Sequence, residues 1–321
     1  MRDQNCALLK LGSVTAAQRV DEFEALRPHL LAVGYRLTGT FADAEDAVQD
    51  AWLRWQASSD VPDDLRAWLT TVVSRLSLDR LRSAARRRET YVGEWLPEPV
   101  VTEPGVADPL SAVVAHEDAR YAAMVVLERL TPDQRVAFVL HDGFAVPFSE
   151  IASLLGTTGA AARQLASRAR RIVGEHAGPV DSTHDEVVGR FLAAMAVGDV
   201  QTVTALLHPD VTFTGDSNRK APTAIRVIRG PDKVARFLFG LARRYGPGWV
   251  DTGRLALVNG ELGLYTPGTP RHDGFPPIMP RITAVTVRDG RVYAVWDVAN
   301  PDKFTGSPLA LPTEPGTRHR N

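Results

Sequence analysis

Between Asp21 and about Glu89, apolar positions recur at helical spacing. Leu26, Leu30, Val33 and Leu37 form one stripe. Ala44, Ala47, Val48, Ala51 and Trp55 form a second. Trp68, Val72, Leu76 and the pair Leu78/Leu81 form a third. This predicts three helices, interrupted only by Pro28, the Gly34–Gly39 region and Pro62. Tyr91–Leu110 breaks the pattern with Pro97, Pro99, Pro104 and Pro109. Proline fixes φ and removes a backbone donor, so an extended linker is expected there. The helical period resumes near Ser111 and runs to about His176. Gly178 and Pro179 then mark a second boundary.

After His184 the texture changes. HDEVVGRFLAAMAVGDV and GPDKVARFLFGLARRY read as amphipathic helices, whereas VTFTGD, LALVNGELGLYT, RITAVTVRDG and RVYAVWDVA read as strands. Asp289–Gly290 is the expected hairpin turn between the last two. Helices followed by strands make an α+β domain. His208-Pro209-Asp210 is expected to be a turn. Residues 1–20 and 305–321 lack period and are expected to be loose termini. The predicted order is therefore a helical domain over 21–90, a linker over 91–111, a second helical domain over 112–177 and an α+β domain over 184–304.

Phe148–Val173, FSEIASLLGTTGAAARQLASRARRIV, combines two helical segments across a short break. Gly156 suits a helix C′ position and Thr157 or Thr158 an N-cap. In the second helix, Ala162, Leu165, Ala166, Ala169, Ile172 and Val173 make a buried face of mostly small residues. The opposite face carries Arg163, Gln164, Ser167, Arg168, Arg170 and Arg171, and Gly156–Arg171 contains no acidic residue. Arginine reads guanine bidentately and glutamine can read adenine, so this is expected to be the recognition helix of a helix-turn-helix.

Total charge does not point to nucleic acid, because the 321 residues sum to −1. Local segregation does. Arg80–Arg88, RLRSAARRR, holds five arginines in nine residues at a helix end, more than a helix dipole needs and suited to phosphates. The preceding helix has the opposite sign, with Asp43, Glu45, Asp46 and Asp50 beside Gln49 and Trp52, which fits a protein-binding surface. Cys6, the only cysteine, excludes an internal disulfide and a Cys-rich zinc site. No run of about 18 apolar residues is present, so no membrane partner and a cytoplasmic location are expected.

An acidic-aromatic helix, an Arg-ended helix, a linker and a helix-turn-helix together resemble a bacterial extracytoplasmic-function RNA polymerase sigma factor. Tyr35–Trp55 and Asp64–Arg88 look like conserved region 2, and Leu127–Arg171 like region 4. Trp95–Pro99 (WLPEP) and Asn300–Lys303 (NPDK) are similar to signatures of the members that end in a SnoaL-like cone-shaped domain. The resemblance implies core RNA polymerase and promoter DNA as partners. Asp46, Gln49, Asp50 and Trp52 would dock on polymerase. The loop around Ser58–Arg66, with Arg75, Asp79, Arg80 and Arg82, would hold the −10 element. Arg163, Gln164, Ser167, Arg168 and Arg171 would contact the −35 element. Trp95, Leu96, Pro97, Glu98 and Pro99, with Asn300, Pro301, Asp302 and Lys303, would form an interdomain regulatory contact. The subgroup's glycine-rich DGGGR-type motif has its counterpart in Asp216–Lys220, DSNRK, which lacks those glycines.

SnoaL-like folds also house enzymes, with a carboxylate base in an apolar cavity; Asp216, Asp297, His208, Tyr265 and His272 are the residues that could line one. No triad, glycine-rich phosphate loop or metal-ligand cluster is visible, so no catalytic residue, cofactor or metal is assigned. A small-molecule ligand of the C-terminal domain fits the hollow fold better than chemistry does. Two readings stay beside the sigma factor: a one-component regulator with a ligand-binding C-terminal domain, and an enzyme with a vestigial DNA-binding front end.

Overall fold

The computed structural model describes residues 16–58, 62–88, 90–105, 111, 113–114, 119–179, 181–246, 248–271 and 274–304. The expected tail 305–321, most of the expected N-terminal extension and His272 lie outside them. Three helices come first: α1 (Ala16–Thr38), α2 (Phe41–Ala57) and α3 (Leu65–Arg88). Helix α1 starts inside the expected extension and continues through Pro28, because burial of Phe23, Leu30, Val33 and Leu37 outweighs one missing hydrogen bond. Among the described residues four further helices follow the linker: α4 (Tyr121–Leu127), α5 (Pro132–Phe138), α6 (Phe148–Leu155) and α7 (Gly159–Ala177), with a π-helical turn at Val139–Gly143. Thr131 starts α5 with a capping box, its hydroxyl accepting from the Gln134 N–H while the Gln134 side chain accepts from Thr131 N–H.

These seven helices share one apolar core. Leu30, Val48, Trp55 and Leu69 from the first three helices join Leu127, Val136, Ile151 and Ala166 from the last four. Phe144, just after the π-helical turn, lies under the Arg36 guanidinium at 4.7 Å.

The C-terminal part contains α8 (His184–Ala196), α9 (Val200–Leu206) and α10 (Pro231–Tyr245) against a seven-stranded sheet. Its strands are β1 (Val101–Thr102), β2 (Leu207–Asp216), β3 (Ile228–Arg229), β4 (Arg254–Val258), β5 (Glu261–Thr266), β6 (Arg281–Arg288) and β7 (Arg291–Val298), in the order β1-β4-β5-β6-β7-β2-β3. Among the described residues only β2 and β7 pair in parallel. The mixed α+β class is the expected one, with three differences of detail. LALVNGELGLYT divides into two strands at Asn259 and Gly260, whose φ of 52° and 85° make the same kind of turn as Asp289–Gly290. His208–Asp210 is not a turn. It lies within β2, where the pairing with β7 shifts register between Leu207 and Thr212 and turns these residues outward. Finally, the linker supplies a strand: Val101 pairs with Val258 and Thr102 with Leu257, so the first element of the sheet lies far ahead of the rest in sequence. Among the described residues, no helix is long and apolar enough to cross a membrane.

Candidate nucleic-acid interface and interdomain clamp

Helices α6 and α7 form the expected helix-turn-helix. Gly156 closes α6 in the left-handed region at φ 65°, ψ 38°, and the Thr158 hydroxyl caps α7 by accepting from Ala161 N–H at 3.2 Å. Ala162, Ala166 and Ala169 are fully buried against the other helices, while Leu165, Ile172 and Val173 pack half-buried around them. Arg163, Gln164, Ser167, Arg168 and Arg171 all project into solvent on one face. Arg170, on the same face, does have an acid: Asp142 from the π-helical turn accepts its Nε–H at 2.6 Å. Only long-range folding could supply that pairing.

On α2, Asp46 and Gln49 are exposed, Asp50 is half-buried, and Trp52 packs on Phe23 with ring centroids 4.9 Å apart. On α3, Arg75 and Asp79 are exposed. Arg80 and Arg82 are engaged within the chain. Arg80 donates to Asp50 at 2.8 Å, and Arg82 reaches across to Asp133 of α5 at 3.1 Å. Thus a residue expected to face polymerase pairs with one expected to face DNA. The side chains of Arg86, Arg87 and Arg88, and part of the Ser58–Arg66 loop, lie outside the described residues.

The three interdomain motifs converge on Asp216. Its carboxylate accepts from the Leu96 N–H at 2.7 Å, from Lys303 Nζ at 2.6 Å and from the Tyr91 hydroxyl. Lys303 also donates to the Leu96 carbonyl and sits 3.9 Å from the Trp95 ring centre, so the cation is both paired and covered. The Tyr91 oxygen accepts from Asn300 Nδ2 at 2.9 Å. Burial, followed by the hydrogen bond to Asp216, holds the Tyr91 phenol well above the usual tyrosine range. Asn300 and Pro301 form the short turn that aims Lys303, the Asn300 side chain accepting from Asp302 N–H at 3.2 Å. At the rim, Asp302 pairs with Lys220, an exposed contact that contributes little. Asp216–Lys220 therefore joins the contact through Asp216, Lys220 and Asn218, whose side chain accepts from Val92 N–H at 3.2 Å, without the glycines of the related motif.

The other side of Leu96–Pro99 faces the helical domains. The Glu98 carboxylate accepts from Phe41 N–H at 2.7 Å and so caps α2, while Tyr35 and Tyr121 hydroxyls donate to the Glu98 and Pro97 carbonyls at 2.7 and 2.8 Å. Both phenols are held well above their usual range, chiefly by burial. The residue that sequence reasoning missed is Asn259. Its turn conformation was foreseeable, yet its side chain accepts from Val100 N–H at 3.0 Å and donates to the Tyr35 hydroxyl at 2.8 Å and the Ala119 carbonyl at 2.7 Å. One buried amide thus ties the C-terminal sheet to the linker and to both helical domains.

The residues considered for catalysis are not brought together. Asp216 belongs to the clamp and His208 lies on the outer side of β2. Asp297 sits at the floor of an apolar cavity of about 50 Å³, paired with Arg281 at 3.3 Å and accepting from Thr223 at 2.5 Å. Small-molecule sites occupy roughly 300 Å³ or more, so a ligand here requires the cavity to widen. Burial raises the Tyr265 phenol, whose hydroxyl has no partner among the described residues.

Comparison with known proteins places this geometry. Residues 23–87 match Sigma-70 region 2, and residues 121–173 match Sigma-70 region 4. The ECF RNA polymerase sigma factor SigJ of Mycobacterium tuberculosis is 68% identical over 310 residues, covering 94% of this chain and 99% of that one. The ECF RNA polymerase sigma factor SigG of the same species is 28% identical over 284 residues, 78% of this chain and 74% of that one. The crystal structure of M. tuberculosis extracytoplasmic function sigma factor SigJ matches with a TM-score of 0.81, over 91% of this chain and 100% of that chain. The match over residues 23–87 removes the case for a one-component regulator, which leaves α2 and α3 without a purpose. With both sigma regions in order and so similar a relative over nearly its whole length, the chain belongs to the extracytoplasmic-function RNA polymerase sigma factors.

Proposed function

We propose that this sigma factor alternates between the closed arrangement described above and an open one that engages core RNA polymerase and promoter DNA, with the C-terminal domain setting the balance. The sigma factor makes and breaks no covalent bonds; it acts by positioning. Asp46, Gln49, Asp50 and Trp52 dock on polymerase. Arg75, Asp79, Arg80 and Arg82 hold the melted −10 element, whose base extrusion costs a few kcal/mol. Arg163, Gln164, Ser167, Arg168 and Arg171 contact the −35 element in the major groove.

The observation that carries the regulatory part is the Lys303–Asp216–Leu96 contact. It buries Leu96–Pro99 between the C-terminal sheet and α2 while Arg80 and Arg82 are tied to Asp50 and Asp133. A linker held there cannot thread toward the polymerase cleft. The test is promoter-dependent transcription with purified core polymerase, comparing the full chain, a chain ending at Ala177, Lys303→Met and the rim variant Asp302→Asn. Lys303→Met is expected to raise output, Asp302→Asn to leave it near that of the full chain, and the shortened chain to differ from both. Equal output from all four defeats control by the C-terminal domain. Loss of both transcript and polymerase binding in every form defeats the polymerase and promoter roles.

A further inference from the structure

The π-helical turn that carries Asp142 is fixed from both sides. Val139 and Leu140 are buried in the helical core, and the chain leaves the turn through Ala145, held in the left-handed region at φ 55°. The Ala145 and Val146 N–H groups return to the His141 and Leu140 carbonyls at 3.0 and 2.9 Å. His141 joins this frame twice: Nδ1 donates to the Val146 carbonyl at 3.1 Å, and the ring stacks on Phe148 with centroids 3.8 Å apart. Single π-helical turns and non-glycine residues at positive φ are both uncommon, and they persist where the surroundings dictate them. The frame borders one flank of α7. Arg163, Ser167 and Arg170 follow i, i+4, i+7 and make a single stripe along that flank. Arg163 lies over the Phe148 ring at 5.9 Å, and Arg170 donates through Nε to Asp142 Oδ1 at 2.6 Å. Among the described residues Arg163, Arg168 and Arg171 make no ion pair, so Arg170 alone of the four arginines has an acid. The bond uses only Nε. Among the described residues Nη1 and Nη2 make no hydrogen bond, and the side chain stays 45% exposed.

An idle surface ion pair is the simplest alternative, and at this exposure the contact adds little to stability. A pair kept for stability has a simpler source within the helix at i, i+4, whereas this acid comes from a constrained turn 28 residues away. Charge then separates the two kinds of DNA contact. Phosphates are drawn to net positive charge, and the Asp142 carboxylate cancels that of Arg170 while repelling phosphates itself. A base edge is neutral and needs only donors that are correctly aimed. Nη1 and Nη2 form the edge of the guanidinium that fits guanine O6 and N7. An arginine gripped at Nε has already given up much of its rotamer freedom, so less is lost when it meets the groove.

We propose that Arg170 reads a guanine of the −35 element and that Asp142 is the positioning residue that presents it. The proposal rests on the promoter reading of α7 and adds to it a base-specific contact outside the residues assigned above. Holoenzyme of the full chain with core polymerase is used to select from a randomised pool of duplexes of about 40 base pairs, near four helical turns. Sequencing the bound fraction gives the base preference at each position, and affinities for single base-pair changes in the selected sequence give magnitudes. In the wild type, replacing the guanine is expected to weaken binding by about 5- to 150-fold. Arg170→Lys keeps the charge without the fork and should erase the preference at that pair only. Asp142→Ala should weaken the same preference, and the double variant should lose no more than Arg170→Lys alone. Asp142→Asn keeps an oxygen that accepts from Nε and should retain most of the preference. Asp142→Ala should also steepen log K against log salt by up to about 0.9 on unselected duplex, because the released guanidinium turns to phosphate. A merely structural acid would not produce that change. A preference that survives Arg170→Lys, one that Asp142→Ala leaves intact, or equal losses at every pair overturns this proposal alone. A wild type with no base preference anywhere in the element overturns the α7 reading and this proposal with it. Glu186→Ala, which breaks an exposed pair with Arg190 on α8, is the control and should leave every preference in place. Asp142 and Arg170 are exposed, and matching thermal midpoints check that each variant is folded.

Discussion

Gly39 occupies a position no other residue fits without cost. Its φ is +77°, and a Cβ there would lie 2.5 Å from Glu128 Oε1 and 3.2 Å from Trp95. The displaced group belongs to a buried pair, Arg135 Nη1 with Glu128 at 2.5 Å, whose Arg135 Nε also donates to the Arg36 carbonyl. Gly39→Ala should destabilise by about 1–3 kcal/mol, combining backbone strain with disturbance of that pair. A urea midpoint equal to wild type would contradict this. Tyr35 and Tyr121 give a second residue-level expectation. Both phenols are raised by burial, so the folded state keeps its protons where the unfolded chain loses them. Their contribution is fully present below pH about 10, the unfolded value, and declines as pH rises beyond it. Each buried phenol steepens that decline by up to about 1.4 kcal/mol per pH unit. Tyr35→Phe should therefore flatten the fall in thermal midpoint between pH 10 and 11 relative to wild type, and an equally steep fall sinks the assignment. None of these roles was legible in the chain. Gly39, Tyr35 and Asn259 each look local, and the partners named here lie 56 or more residues away.

At the scale of elements, legibility follows the range of the forces. The helix-turn-helix could be read because its determinants are neighbours in sequence: Gly156 for the left-handed cap, Thr158 for the N-cap, and alanines at helical spacing for close crossing. Thr158→Ala should cost about 0.5–2 kcal/mol and Thr158→Asp should restore it, since a carboxylate also accepts from Ala161 N–H. Thermal melts that fail to separate the two substitutions would show that the cap does not hold α7. The long strands β2, β6 and β7 were recognisable from their alternation. The two-residue strands β1 and β3 have no pattern of their own and exist because β4 and β2 offer them an edge. Arg170 makes the same point from charge: its helix holds no acid at the right spacing, and folding brings Asp142 from outside it.

At the scale of the molecule, the two sigma regions behave as one body, since their seven helices bury a common core. Ile151→Ala, at a fully buried position of α6, should cost about 2–5 kcal/mol, and the loss should spread. Amides of α1–α3 should exchange faster in that variant along with those of α4–α7. Acceleration confined to α4–α7 would show two independent units. The clamp has its own margin to protect. Strand β4 ends the sheet except for Val101 and Thr102, and its Leu255 is already 55% exposed. Any rearrangement that draws the linker away bares the hydrogen-bonding edge of β4 at Leu257 and Val258 to solvent. An uncovered edge with an apolar side chain invites strands from other molecules. Release of the linker is thus coupled to solubility, and forms trapped in that state should be the ones that self-associate.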